Sequence, residues 1–334
     1  MRSYPEVVAA LNILLVPVGI AILYWGANWL IRGSAQVARA FGVKPLVVGL
    51  TVVAYGTSAP ELAVATKTAL MHNEPIALGT VIGSCAANIS LILGITALIS
   101  PPTIDGRIIR REVPVLLGSA IAVPLLFRNG VVSRFEGFIL ISCAIVFTIA
   151  TLTVSARLDP DDASDSGSRR TEQSGAMLGG KGRPSGRRGV AALQTAVGLV
   201  LLVIGSDLFV RGGRSIGTQL GLSERMLGLT VISIGTALPE LIGSIVAAAR
   251  GEAALAIGSV IGSNVLNVFL VLGVTACLRP IRAGELMHVS DLIGLVGITL
   301  LGVLMLRGSR KISRFEGGIL VLAYVAFIVT AAVF

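Results

Sequence analysis

The sequence GTSAPE at residues 56–61 returns as GTALPE at residues 235–240. A second pattern, GSCAAN at 83–88, returns as GSNVLN at 262–267. Both repetitions are shifted by 179 positions, from 56 to 235 and from 83 to 262. Each copy of the first pattern ends in a glutamate inside a long apolar stretch, where an ionisable group usually marks an ion or substrate path. The two copies predict a transporter built from repeats, with one site at their interface.

The composition indicates an integral membrane protein. Of 334 residues, 54% are hydrophobic and only 13% charged, whereas about a quarter of a typical soluble domain is charged. The net charge of +9 comes from basic residues between the apolar runs, as expected of loops beside a membrane. No basic patch with interleaved aromatics occurs, so we expect membrane lipid around the chain and no nucleic-acid partner. No obligatory protein partner is evident either.

A helix that spans a membrane needs about 20 apolar residues. The sequence predicts an all-α membrane protein of ten such spans, at 7–31, 43–70, 77–99, 109–127, 134–155, 191–210, 222–249, 255–277, 287–306 and 314–334. Residues 156–190, rich in Asp, Gly, Ser and Arg, lack apolar periodicity and predict a flexible linker.

The spans divide into two sets of five. The pattern SRFEG at 133–137 returns at 313–317, so the repetition reaches the fifth span of each half. We therefore predict a first repeat over 1–155, the linker at 156–190 and a second repeat over 191–334. Because five is odd, the second repeat would enter the membrane from the opposite side, which makes the repeats inverted.

The basic residues predict the orientation of the chain. Loops and adjoining span ends on the linker's face hold 18 Lys and Arg residues, against 8 on the other face. Because cytoplasmic loops carry an excess of Lys and Arg, we expect the linker in the cytoplasm and both termini outside.

Glycine and proline interrupt the apolar run before each glutamate. A proline removes a backbone donor and clashes with the preceding turn, so we expect the helix to break near Pro60 and near Pro239. The break would free carbonyls over 54–57 and 233–236 to line a cavity beside Glu61 and Glu240. Carbonyls, hydroxyls and carboxylates form a hard-oxygen site suited to Ca²⁺.

Each polar group also has a purely structural alternative. The glutamates could cap half-helices or pair with a basic residue, although Lys67 lies six positions from Glu61 and is a poor helical neighbour. Each serine of the second pattern lies four residues before an asparagine, on one helix face. These pairs could instead join packed helices by hydrogen bonds. Repetition beside the glutamates favours ion binding for the serines and asparagines, namely Ser84, Asn88, Ser263 and Asn267.

The charge of the site suggests a mechanism. Two ionised glutamates contribute −2, which one Ca²⁺, two Na⁺ or two H⁺ would neutralise. Competing occupancies of similar charge are what an antiporter needs. We see no enzyme signature and no cofactor motif, and an intramembrane hydrolase would need a base–nucleophile pair that the sequence lacks. A cation channel is also disfavoured, because channel filters more often lie on an axis between subunits.

At these residues the chain resembles the calcium/cation antiporter superfamily, in particular its prokaryotic sodium/calcium exchangers. The resemblance covers nearly the whole chain and implies Ca²⁺/Na⁺ exchange by alternating access in the cell (inner) membrane of a prokaryote. H⁺-coupled or K⁺-dependent exchange of Ca²⁺ or another divalent cation remains the alternative. The implied Ca²⁺ ligands are Glu61 and Glu240 with backbone oxygens of Thr57 and Thr236; the implied Na⁺ ligands are Ser58, Ser84, Asn88, Ser263 and Asn267, with the carbonyls of Ala54 and Ser233.

The second half departs from the family pattern at two positions. Ala237 replaces the serine that would correspond to Ser58, so one hydroxyl is missing. Asn267 stands where related archaeal exchangers can carry aspartate, so a third charge is absent. The chain also lacks the G-N-x-x-E pattern frequent in proton/calcium exchangers, which favours Na⁺ as the counter-ion.

Overall fold

The structure is a computed structural model that describes residues 4–72, 74–102, 106–155, 185–221, 231–282, 289–308 and 311–333. The predicted linker falls almost wholly on residues 156–184, outside these ranges. Nearly all described residues are helical, as the all-α prediction expects.

The described residues of the first half form eight α-helices, two π-helical segments and one short strand. The α-helices are α1 (Tyr4–Phe41), α2 (Pro45–Val48), α3 (Ala54–Thr57), α4 (Ala59–Leu70), α5 (Glu74–Ala86), α6 (Leu93–Ile99), α7 (Gly106–Leu126) and α8 (Arg134–Ser155). The π-helical segments are Gly49–Val53, between α2 and α3, and Ala87–Ile92, between α5 and α6. A 3₁₀ turn at Phe127–Asn129 precedes strand β1 (Val131–Val132).

The second half is built from similar elements. Its α-helices are α9 (Ser185–Gln219), α10 (Ser233–Ala249), α11 (Ala253–Leu266), α12 (Gly273–Leu278), α13 (Val289–Gly308) and α14 (Arg314–Val333). A π-helical segment, Asn267–Leu272, joins α11 to α12. Strand β2 (Ile281–Arg282) pairs antiparallel with β1, so the two halves are also hydrogen-bonded to each other.

Seven helical segments within the described ranges are long and apolar enough to cross a membrane. They coincide with predicted spans 1 to 6 and 8, and the 17-residue apolar helix α10 lies within span 7. Residues 222–230 of that span are outside the described ranges. Helices α13 and α14 cover the last two predicted spans but are not among the seven, so the count of ten stays a prediction.

The long helices α1 and α9 pack together through glycines. A Cβ atom placed on Gly19 would lie 2.8 Å from Gly205 O, and one placed on Gly198 would lie 2.8 Å from Gly26 O. The repeat offset of 179 relates Gly19 to Gly198 and Gly26 to Gly205. Each of the two contacts is therefore the counterpart of the other in the opposite half. Small residues allow helices to approach this closely without a side chain between them. The α1–α9 contact is therefore reciprocal between the halves.

Polar side chains join the two halves at the ends of the helices. Arg279, which follows α12, donates from Nε to Glu74 Oε1 at 2.8 Å. Hydrogen bonding by the Arg279 guanidinium lowers the pKa of the Glu74 carboxyl below its ordinary value. Arg39, in the last turn of α1, lies 3.7 Å from the carboxylate of Glu252. These contacts fix loops of one half against the other.

Candidate functional site

Two glutamates are completely buried inside the helical core. Glu61 lies in the first turn of α4 and Glu240 near the middle of α10, and both are 0% exposed. Glu61 Oε1 accepts a hydrogen bond from Ser84 Oγ at 3.4 Å. Among the described residues, Glu61 Oε2 and both carboxylate oxygens of Glu240 have no partner within hydrogen-bond limits, although the hydroxyls of Thr57 and Ser263 lie beside the Glu240 carboxylate.

A buried ionised carboxylate without a partner is strongly unfavourable. Neither glutamate forms an ion pair with a described Lys, Arg or His, and Lys67 is exposed to the surroundings. Pairing with a basic residue, the structural alternative, therefore finds no support in the described part of the chain. The place of Glu61 in the first turn of α4 fits the positive end of the helix dipole, but Glu240 has no such position. These carboxylates need cations or protons.

The two serines and two asparagines of the second pattern are buried in the same helical core as these carboxylates, and Ser84 contacts Glu61 directly. Ser84, Asn88, Ser263 and Asn267 are all 0% exposed. The side-chain oxygen and nitrogen of both asparagines lack hydrogen-bond partners within the described ranges. Since interhelical hydrogen bonds would use these atoms, that structural alternative does not account for the asparagines. Buried unpartnered amides are rare and call for a ligand or water.

Both asparagines occupy π-helical segments, a feature that the sequence did not indicate. Asn88 is the second residue of Ala87–Ile92, and Asn267 is the first of Asn267–Leu272. A π turn widens the helix by one residue and is frequent at functional sites. No composition signal distinguishes these segments from ordinary α-helix, so sequence reasoning missed them.

Glycines bring the two patterns of opposite halves into contact. A Cβ atom placed on Gly83 would lie 2.5 Å from Ser233 Oγ, and one placed on Gly262 would lie 2.8 Å from the Cβ of Ala54. Under the offset of 179, Gly83 corresponds to Gly262 and Ala54 to Ser233. Each glycine therefore lets its helix approach the start of the glutamate-bearing segment in the other half.

The threonines bring further oxygen atoms to the same region. Thr57 Oγ1 lies 3.3 Å from Ser263 Oγ, across the halves, and donates to Val53 O at 3.1 Å. Thr236 Oγ1 donates to Ser233 O at 3.1 Å. The hydroxyl of Ser58 is buried and has no partner among the described residues. The structure thus joins Ser84 to Glu61 and Thr57 to Ser263 by direct contacts, and it buries the remaining candidate ligands.

The predicted helix break is found in the first half only. Ser58, with φ −78° and ψ 0°, separates α3 from α4 two residues before Pro60. Even here the Ala54 carbonyl is not fully free, because it accepts the Ser58 amide at 3.0 Å. In the second half the expected break is wrong, since α10 continues through Pro239. The physical reason is a donor from another helix: Ser206 of α9 donates to Gly235 O at 2.8 Å.

Sequence reasoning also missed Ser206, because nothing near residue 206 belongs to either motif. A lone serine in an apolar helix is uninformative until the contact with α10 is known. Sequence reasoning missed Ser244 as well, because it belongs to neither motif. Ser244 lies one turn after Glu240, is 1% exposed and has no hydrogen-bond partner within the described ranges.

The chemistry of the site is that of hard oxygen ligands. It combines two carboxylates with hydroxyl, amide and backbone oxygens, the donors that Ca²⁺ prefers. In the described ranges no group of three or more His, Cys, Asp or Glu side chains is placed to hold a metal ion. Neutral oxygens must therefore provide most of any coordination shell here.

Comparisons with known proteins agree with the fold and the motifs. The family profile described as "Sodium/calcium exchanger protein" matches residues 11–153 and 190–333. The chain is 32% identical to inner membrane protein YrbG of Escherichia coli, over 83% of each protein. It is 29% identical to the sodium/calcium exchanger MaX1 of Methanosarcina acetivorans, over 95% of this chain and 97% of that one.

A solved structure shows the same architecture. The sodium-calcium exchanger NCX_Mj, in crystals soaked with Na⁺ and Ca²⁺, matches with a TM-score of 0.79 and 29% identity, over 96% of this chain and 98% of that one. The family profile covers both halves of the sequence and confirms the resemblance stated from the motifs. The chain is an integral membrane protein that belongs to the sodium/calcium exchanger family, a family of transporters.

Proposed function

We propose that this chain exchanges Ca²⁺ for Na⁺ across the cell membrane by alternating access, at one site between its two halves. The observation that carries the proposal is the pair of fully buried glutamates, Glu61 and Glu240, neither of which forms an ion pair with a described basic residue. Their combined charge of −2 fits one Ca²⁺. When Ca²⁺ leaves, the site keeps a charge of −2, which two Na⁺ would balance. Release of Ca²⁺ and binding of Na⁺ are therefore linked.

In this proposal the glutamates bind Ca²⁺ together with the backbone oxygens of Thr57 and Thr236. Both threonines are 1% exposed, and each lies four residues before a glutamate; Thr236 and Glu240 share one face of α10. The Na⁺ ligands are Ser58, Ser84, Asn88, Ser263 and Asn267, with the carbonyls of Ala54 and Ser233. All of these residues are buried.

The choice of Na⁺ rests on the neutral oxygens. Protons need only the two carboxylates, and a proton-coupled exchanger would leave the unpartnered amides of Asn88 and Asn267 without a role. Na⁺ accepts carbonyl, amide and hydroxyl oxygens as ligands. The relatives MaX1 and NCX_Mj, which are named as exchangers of sodium and calcium, support the same choice.

The inverted arrangement of two five-span repeats is also part of the proposal. It is supported by contacts that exchange under the offset of 179, namely Gly19–Gly205 with Gly198–Gly26, and Gly83–Ser233 with Gly262–Ala54. Such reciprocity is what a twofold axis between the halves produces. With the excess of basic residues on the linker's face, it gives a cytoplasmic linker and external termini.

The function is tested by Ca²⁺ flux into vesicles that contain the purified protein, with Na⁺, K⁺ and pH gradients imposed separately. We expect an outward Na⁺ gradient alone to drive Ca²⁺ uptake. Uptake driven by a pH gradient without Na⁺ would establish proton coupling instead, and a requirement for K⁺ together with Na⁺ would establish potassium dependence.

A further inference from the structure

Helix α10 contains Pro239 yet runs from Ser233 to Ala249 without interruption. A proline has no amide hydrogen, so the carbonyl four residues earlier, that of Gly235, loses its helical donor. The hydroxyl of Ser206 on α9 donates to this carbonyl at 2.8 Å, and both residues are buried. A different helix therefore supplies the donor that the proline removed.

The first half lacks this donor. The repeat offset of 179 relates Ser206 to Ala27, which is fully buried and has no hydroxyl. In this half the segment that carries Pro60 is interrupted at Ser58. The half with the serine keeps its helix intact, and the half with the alanine does not.

We propose that Ser206 is a positioning residue for the second half of the cation site. By holding Gly235 O, it keeps the backbone between Ser233 and Glu240 helical and fixes the direction of Glu240 and of the Thr236 carbonyl. Its one hydroxyl hydrogen is used on Gly235, so it acts through the backbone. The inference rests on the proposed function, because the ligand roles of Thr236 and Glu240 belong to it.

The hydrogen bond between Ser206 and Gly235 also makes the two halves unequal: it attaches the glutamate-bearing segment of only one half to a long helix. In the second half, a buried side-chain hydrogen bond ties the glutamate-bearing helix α10 to α9. In the first half, the residue that corresponds to Ser206 is Ala27, whose methyl group cannot donate a hydrogen bond, and Gly56 instead packs against the side chain of Leu199 on α9. We therefore expect the loss of Ser206 to loosen α10 and to leave α4 unchanged.

The test measures equilibrium binding of ⁴⁵Ca²⁺ to the purified full chain in detergent. We expect Ser206→Ala to raise the dissociation constant about 5-fold, the factor that corresponds to one net hydrogen bond. Ser206→Thr, which keeps the hydroxyl, should restore binding. The matched control is Ser119→Ala in α7, which removes a buried hydroxyl bond of the same 2.8 Å length, to Leu116 O, away from the site. It should leave the dissociation constant unchanged.

A second readout does not depend on the cation. Hydrogen exchange of the backbone amides in 233–243, measured without Ca²⁺, should be faster in Ser206→Ala than in wild type or Ser119→Ala. The proposal requires both changes: unchanged exchange overturns it, and so does faster exchange with unaltered Ca²⁺ affinity. If the wild type binds no Ca²⁺, the proposed function fails, and the exchange measurement alone decides whether Ser206 holds α10.

Discussion

The hydroxyl oxygen of Thr57 lies 3.3 Å from that of Ser263, so the two halves of the chain meet inside the proposed cation site. Both side chains are buried. Thr57 ends α3, in the glutamate motif of the first half, and Ser263 lies on α11, in the serine–asparagine motif of the second. A substitution in either half therefore acts on one shared set of ligands.

The close approach of the halves gives a prediction for Gly83 and Gly262. An alanine at Gly83 would place its Cβ 2.5 Å from Ser233 Oγ, and one at Gly262 would place it 2.8 Å from the Cβ of Ala54. We expect each substitution to lower the free energy of unfolding by roughly 1–3 kcal/mol, as overpacking usually does. Both should also reduce Ca²⁺ transport. Thermal unfolding and Ca²⁺ flux provide the measurements.

The control for the glycine substitutions is Gly118→Ala in α7. A Cβ atom there meets nothing within 4 Å, so the change should be neutral or stabilising by up to about 1 kcal/mol. If Gly83→Ala and Gly118→Ala behaved alike, the halves would not be in tight contact at the site.

The missing hydroxyl and charge of the second half predict weak Na⁺ binding there. Ala237→Ser restores a hydroxyl at a buried position, and Asn267→Asp adds a carboxylate. We expect both to shift the Na⁺ concentration that gives half-maximal Ca²⁺ flux more than they shift the apparent Ca²⁺ affinity. The effect of Asn267→Asp should vary with pH, because its carboxyl can titrate, whereas that of Ala237→Ser should not. Mutants that change only Ca²⁺ affinity would show that these positions are not Na⁺ ligands.

The Glu74–Arg279 ion pair gives a pH prediction for the stability of the fold. The bound guanidinium lowers the pKa of the Glu74 carboxyl, so the pair stabilises the folded state above the unfolded pKa of about 4.3. That contribution is lost as the pH falls through the lower, folded pKa. We expect Glu74→Gln to lower the free energy of unfolding at pH 7 by at most about 1 kcal/mol, because the pair is partly exposed.

Unfolding measured at several pH values should show the wild type and Glu74→Gln converging as the pH falls below the unfolded pKa. Glu252→Gln is the control, since its carboxylate lies 3.7 Å from Arg39 in a looser pair. It should have the smaller effect at pH 7. A Glu74→Gln difference that persists unchanged in acid would contradict the role given to this ion pair.

The topology is tested by labelling single cysteines in a chain from which Cys85, Cys143 and Cys277 have been removed. We expect a cysteine at Ser174 and one at Phe334, both outside the described residues, to react from opposite sides of the membrane. This follows from a cytoplasmic linker and five further spans. Labelling from the same side would refute the odd number of spans, and with it the inverted repeats.

The sequence was sufficient to predict a set of candidate ligands. Repetition and residue type identified Glu61, Glu240 and the two serine–asparagine pairs, and the structure buries all six side chains, with Ser84 in contact with Glu61. This succeeded because the intramembrane position of a carboxylate is itself unusual. The apolar runs also located the helices, although α1 ends at Phe41, ten residues beyond its predicted span. A helix can continue past the lipid-facing stretch wherever it packs against protein, here α9.

The features that could not be predicted depend on contacts between distant helices. The proline rule correctly identified a missing donor at Gly235, but whether the helix breaks was decided by Ser206, about thirty residues away. The π-helical segments at Asn88 and Asn267 likewise have no local signature. Such features follow from tertiary packing, which the local propensities of the sequence do not predict.

Ca²⁺ uptake into vesicles under an imposed Na⁺ gradient, comparing the wild type with Glu61→Gln and Glu240→Gln, tests the central claim most directly. Each substitution keeps the side-chain shape but removes one of the two charges that we propose to hold Ca²⁺. We predict Na⁺-driven uptake by the wild type and none by either variant, at equal amounts of inserted, folded protein. Near-normal uptake by either glutamine variant, or a wild type that ignores Na⁺, would contradict the account.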